Sequence, residues 1–169
     1  MTDTITINEG EFKTVGVTTV AVAHEVHYTY SAFLPALLPL LIEKFALSNT
    51  LAGLFTVFYQ MPSLLQPLIG RLADRTNLRF MVILAPTITG AAMSTVGLAP
   101  SYGFAAFLLI LAGISSSTLH ATGPVLGSAL SGDRLGRGMS FWMVGGELGR
   151  ALGPLITVTA IAYLTLEGL

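Results

Sequence analysis

Cysteine is absent from the 169 residues, which excludes disulfides and thiolate metal sites and leaves the redox compartment open. Charge is scarce as well. Only 10% of residues are Asp, Glu, Lys or Arg, against about 25% in a soluble domain. The net charge of −1 offers no basic surface, so no nucleic-acid partner is expected. Neither a phosphate-cradling Gly-rich loop nor a Ser-His-Asp set is present, and His24 with His27 is too little for a metal site. The sequence therefore reads as neither an enzyme nor a metal protein, and no cofactor is expected. A basic n-region and a small-residue cleavage site are also missing from the amino terminus. Its polar, acidic start reads as a cytoplasmic tail over residues 1–13, not a signal peptide.

What is abundant is apolar. The chain is 53% hydrophobic with a mean hydropathy of +0.75, the composition of an integral membrane protein. A membrane helix needs about 20 mostly apolar residues. Residues 15–42, 47–70, 80–98, 103–130 and 138–166 meet that requirement, giving an all-α bundle of five expected transmembrane helices over 14–169. Ser48, Asn49 or Thr50 is positioned to cap the second, and Pro100 with Gly103 to turn the chain between the third and fourth. Arg71, Arg75 and Arg79 follow the second stretch, Arg134 and Arg137 follow the fourth, and Lys13 precedes the first. The other side holds only Lys44. Basic residues in short loops mark the cytoplasmic side, so the amino terminus is expected inside the cell.

Polar groups at membrane depth are costly, at about 2.5–3.5 kcal/mol for a charge at a helix centre. On the first stretch His24, His27, Tyr28 and Ser31 share one helical stripe, flanked by Glu25. They read as a proton-responsive cluster facing a cavity, or as hydrogen-bonding glue between helices. Pro35 and Pro39 are expected to bend that helix. His120 lies in a hydroxyl-rich run, Ser115 to Thr122, before Pro124. It sits about 25 Å along the fourth helix from its outer end. Glu147 and Arg150, three apart, share a face of the fifth helix. They read as a structural ion pair, or as a proton-exchanging Glu147 with Arg150 holding an anionic substrate group or Glu25. On the other side of that helix Gly145, Gly149 and Gly153 recur every four residues, a spacing that lets two helices approach closely.

The loop Gly70-Arg71-Leu72-Ala73-Asp74-Arg75-Thr76-Asn77-Leu78-Arg79, set between two membrane-length stretches, resembles the signature of the major facilitator superfamily, Gly-x-Leu-Ala-Asp-Arg-x-Gly-Arg-Arg. Gly70, Asp74, Arg75 and Arg79 fit, while Asn77 replaces a glycine. The resemblance implies a secondary transporter of two six-helix halves. The five stretches then correspond to the first five helices of one half, and the remainder of the transporter is an implied partner beside the lipid bilayer and a small-molecule substrate. It also implies an inner-membrane, multi-pass location and a gating role for Asp74 in a network with Arg75 and Arg79. Asp133, Arg134, Arg137 and Gly138 repeat the character of this loop.

Gly149, Gly153 and Pro154 resemble the Gly-x-x-x-Gly-Pro motif of proton-driven drug antiporters in the same superfamily. His24 with Tyr30, Ser31 and Phe33 to Pro39, together with Ser131 to Arg134 and Met143 to Gly146, resembles the fosmidomycin-resistance branch. That branch implies efflux of a drug or small organic anion driven by a proton gradient. Its usual Asp four residues after the first-helix His is Tyr28 in this sequence. The competing expectation is a truncated, non-transporting membrane protein, or a half-unit that works only with a separately encoded partner.

Overall fold

A computed structural model describes residues 10–164. Residues 1–9 of the expected tail, and the expected end of the fifth stretch at 165–166, lie outside the described residues. The elements are α1 (Thr14–Ser31), α2 (Phe33–Phe45), α3 (Asn49–Gln60), a 3-10 turn (Met61–Leu65), α4 (Gln66–Ala73), α5 (Leu78–Thr95), a short 3-10 turn (Val96–Leu98), α6 (Tyr102–Ser131) and α7 (Leu135–Leu164). The fold is all-α among the described residues. Two helices, Leu78–Leu98 and Tyr102–Ser131, are long and apolar enough to cross a membrane by length and composition.

The stretch expected at 15–42 is two helices, broken at Ala32 (φ −77°, ψ 0°). Pro35 and Pro39 each lack the N–H that would bond four residues back, and the Pro35 ring crowds the Ser31 carbonyl, so the bend falls just before them. The stretch expected at 47–70 is also interrupted, at Pro62 in the 3-10 turn, and α4 runs on to Ala73. Three side-chain caps fix helix starts. Ser48 accepts the Leu51 N–H, Asn77 the Arg79 N–H, and Ser101 the Phe104 N–H. Asn77, the departure from the family loop, thus starts α5.

Two apolar cores hold the bundle. One joins α2, α3, α5 and α6 through Leu37, Leu41, Phe55, Met93 and Leu109. The other joins α1, α5, α6 and α7 through Val17, Val20, Val82, Leu119 and Trp142. Outward-facing side chains are also apolar, among them Leu64, Phe80, Ile83, Phe107 and Leu155, as expected of helices solvated by lipid.

The most extensive helix pairing is α1 against α7, and the glycine stripe produces it. A Cβ on Gly145 would overlap the Ala21 carbonyl, one on Gly149 the Glu25 carbonyl, and one on Gly153 the Thr29 carbonyl. All three lie over successive turns of α1, and only the missing side chains allow the backbones to meet. At one end of this pair, Phe12 packs on Phe141, with the Arg137 guanidinium 4.7 Å above the Phe12 ring. The Lys13 N–H donates to the Leu130 carbonyl at 2.9 Å.

Candidate functional site

The histidine stripe of α1 faces α6, and His120 projects from α6 to meet it. The ring centroids of His24 and His27 lie 5.5 and 5.6 Å from that of His120. Both α1 histidines are buried, while His120 is half-buried. The hydrogen-bond partners fix two of the tautomers. His120 Nδ1 lies 2.8 Å from the Ser116 carbonyl, which only accepts, so Nδ1 carries the hydrogen. Its Nε2 is then the acceptor, and the Tyr28 hydroxyl donates to it at 3.0 Å. By the same logic His24 Nδ1 donates to the Trp142 carbonyl at 2.8 Å, leaving the His24 Nε2 lone pair buried with no partner. The His24 ring lies flat on the Trp142 indole, centroids 3.6 Å apart and 8° from parallel.

His27 belongs to a second branch. Its Nε2 lies 3.1 Å from Ser116 Oγ and 3.2 Å from Ser31 Oγ. Ser31 donates to the His27 carbonyl at 2.8 Å and accepts from the Tyr59 hydroxyl at 2.7 Å. His27 Nδ1 is buried and unpartnered. The network runs from α1 through α6 to α3.

Beside it opens a cavity of about 510 Å³. Its polar wall comes from Tyr28, Ser31, Tyr59, Gln60, Ser116 and Arg150, and its apolar wall from Leu34, Pro35 and Leu38 beyond the helix break. The Arg150 guanidinium lies 4.5 Å from the Tyr28 ring centroid, close enough for a cation–π contact. Its NH1 is 3.7 Å from Glu147, with both side chains more than half exposed. A pair that exposed is weak, which leaves the guanidinium free to bind another anion.

The structure brings His24, His27, Tyr28, His120 and Arg150 together and leaves Glu25 out. Although adjacent to His24 in sequence, Glu25 turns into a different groove of about 390 Å³ between α1 and α7, with Ala21, Val22, Phe141, Val144 and Leu148. Arg150 takes Glu147, not Glu25, as its carboxylate partner. Asp74, Arg75 and Arg79 are exposed at the junction of α4 and α5, and Gly70 lies in α4. No ion pair joins Asp74 to these arginines among the described residues. Pro154 lines the cavity one residue beyond Gly153.

Tyr59, Gln60 and Trp142 belong to the site although sequence reasoning did not single them out. A Tyr-Gln pair within an uncharged, largely apolar stretch was the available signal for the first two. Trp142 carried none, because a tryptophan at that position reads equally well as a lipid anchor.

The model of the Major Facilitator Superfamily matches residues 24–167, from the first histidine of the network to beyond the cavity. The chain belongs to the Major Facilitator Superfamily. Among curated relatives, it is 29% identical over 144 residues to the fosmidomycin resistance protein of Escherichia coli (strain K12), covering 85% of this chain and 36% of that protein. It is 25% identical over 146 residues to the uncharacterised MFS-type transporter YfnC of Bacillus subtilis (strain 168), covering 86% of this chain and 36% of that one. The chain thus spans about a third of the length of these relatives. No solved structure gives a significant match. The family is one of membrane transporters.

Proposed function

We propose that these residues form the amino-terminal part of a proton-coupled exporter of a drug or small organic anion, working by alternating access. One observation carries this reading: a cavity next to three histidines, with hydroxyls and the Arg150 guanidinium on one of its walls. An exposed guanidinium at the wall of a cavity offers an anionic guest a planar, charged donor. The similarity to a fosmidomycin resistance protein supports a drug as cargo. In this reading α1 with α2, α3 with α4, and then α5, α6 and α7 are five membrane spans, with the amino terminus in the cytoplasm. Alternating access needs a second body to rock against, and the remaining length of the relatives corresponds to that body. Asp74, Arg75 and Arg79 then close the cytoplasmic side against it.

The test is drug accumulation. Expression of the whole reading frame that encodes these residues should lower fosmidomycin accumulation in a sensitive bacterium and raise the tolerated dose several-fold. A protonophore should restore accumulation. Arg150→Gln at matched membrane levels should lose the protection entirely. If wild-type cells accumulate as much drug as empty cells, fosmidomycin is not the cargo. Protection that survives the protonophore would refute proton coupling.

A further inference from the structure

We propose that the cavity takes an amphiphilic monoanion, with a single negative charge held at Arg150 and an apolar tail laid along Leu34, Pro35 and Leu38. This inference rests on the anion reading of the cavity given above and names the class of cargo within it.

The break at Ala32 sorts the cavity into two ends. Tyr28 and Ser31 lie on its α1 side, and Leu34, Pro35 and Leu38 on its α2 side. Polar groups from the other helices are tied to the α1 end. The Arg150 guanidinium of α7 stands 4.5 Å from the Tyr28 ring centroid, and the Tyr59 hydroxyl of α3 donates to Ser31 at 2.7 Å. Leu34 and Leu38 are four residues apart, so they sit one turn from each other on a single face of α2. Leu38 lies about 15 Å along the helix contour from Tyr28. A small, wholly charged guest leaves this apolar end wetted. A hydrocarbon tail covers it and is drawn there by the hydrophobic effect.

The polar end has room for one negative charge. Among the described residues, Arg150 is the one charged side chain on the cavity wall. Its charge is already shared with Glu147, 3.7 Å away. The nearest hydroxyls do not serve a second charge, because their hydrogens are committed. Tyr28 donates to His120, Ser31 to the His27 carbonyl, and Tyr59 to Ser31. What these groups turn toward the cavity is oxygen lone pairs, which accept but do not donate. Ser116 and Gln60 add only neutral groups. A dianion would leave its second charge beside the apolar wall without a cation, where burial is costly.

The experiment is calorimetric titration of the protein expressed from the whole reading frame, in lipid nanodiscs, with the heat of empty nanodiscs subtracted. The probes are methanesulfonate, butanesulfonate and hexanesulfonate, which share one permanent charge and differ in tail length. Affinity should rise about threefold per methylene, or roughly 30-fold from methane- to butanesulfonate. Butane-1,4-disulfonate, with the same chain and a second charge, should bind at least about tenfold more weakly than butanesulfonate. Leu38→Ser should flatten the dependence on tail length. Arg150→Gln should weaken the whole series without changing that dependence. Should Leu38→Ser fail to fold, the wild-type series and the disulfonate still decide. A series independent of tail length, an unchanged dependence in Leu38→Ser, or a disulfonate that matches butanesulfonate would overturn the amphiphile while sparing the anion reading. Binding of fosmidomycin but of no sulfonate would do the same. If neither fosmidomycin nor any sulfonate binds, or if Arg150→Gln binds the series as tightly as wild type, the anion reading falls and this inference with it.

Discussion

Gly149→Val should be the most damaging single substitution in the chain, lowering the melting temperature of the purified protein by roughly 6–12 °C. A Cβ at this position overlaps the Glu25 carbonyl and stands 2.9 Å from both the Thr29 nitrogen and the Tyr28 Cβ. Two of these three neighbours are backbone atoms of α1, which cannot rotate away as a side-chain tip can. The helices must separate, and the packing that holds them is lost. In a bilayer that packing is the main attraction between helices, because lipid is as apolar as leucine and supplies no hydrophobic drive to associate. Overpacking a tight contact costs about 3 kcal/mol, and about 2–4 °C accompanies each kcal/mol at this chain length. Separation would also carry Tyr28 away from Arg150. Gly136→Ala is the matched control, since nothing lies within 4 Å of its Cβ position. It should melt at or above the wild-type temperature. A Gly149→Val protein that melts within a degree or two of wild type would show that α1 and α7 do not meet through this stripe.

Trp142→Ala should cost about 3 kcal/mol and disturb the histidine network as well. Trp142 is 5% exposed and its ring fills the space above Gly123, where a Cβ would overlap it. One face of the indole carries His24. Removing the indole leaves a void between α1, α6 and α7 and frees the His24 ring to turn, although the Trp142 carbonyl that holds Nδ1 remains in the main chain. Trp142→Phe keeps an aromatic surface under His24 and should lose less than half as much. Thermal melting of the two variants separates packing from stacking. Equal losses would mean that the indole fills space only, and no loss in Trp142→Ala would remove Trp142 from the core altogether.

Several features of this protein were fixed by residue order alone. Sparse charge and long apolar runs determine a membrane bundle, because unpaired polar backbone cannot be left in lipid outside a helix. The arginine-bearing loop after Gly70 marks the superfamily. Rotation of about 100° per residue places His24, His27, Tyr28 and Ser31 on one stripe, and Gly145, Gly149 and Gly153 on another, without reference to any neighbour. The tertiary structure decided what each stripe meets. A helix's periodicity states which residues share a face but not which helix covers it, so the pairing of the glycines with α1 and of the histidines with His120 was not legible. Glu25 makes the limit plain. One residue from His24 in sequence, it is rotated out of the network into the groove beside Val144. Tyr59 and Gln60 reach the cavity only because the chain bends at Ala32 and again at Pro62, bringing α3 alongside the opened end of α1. Those bends need prolines that the sequence displays, but the direction of each bend is set by the helices packed around it.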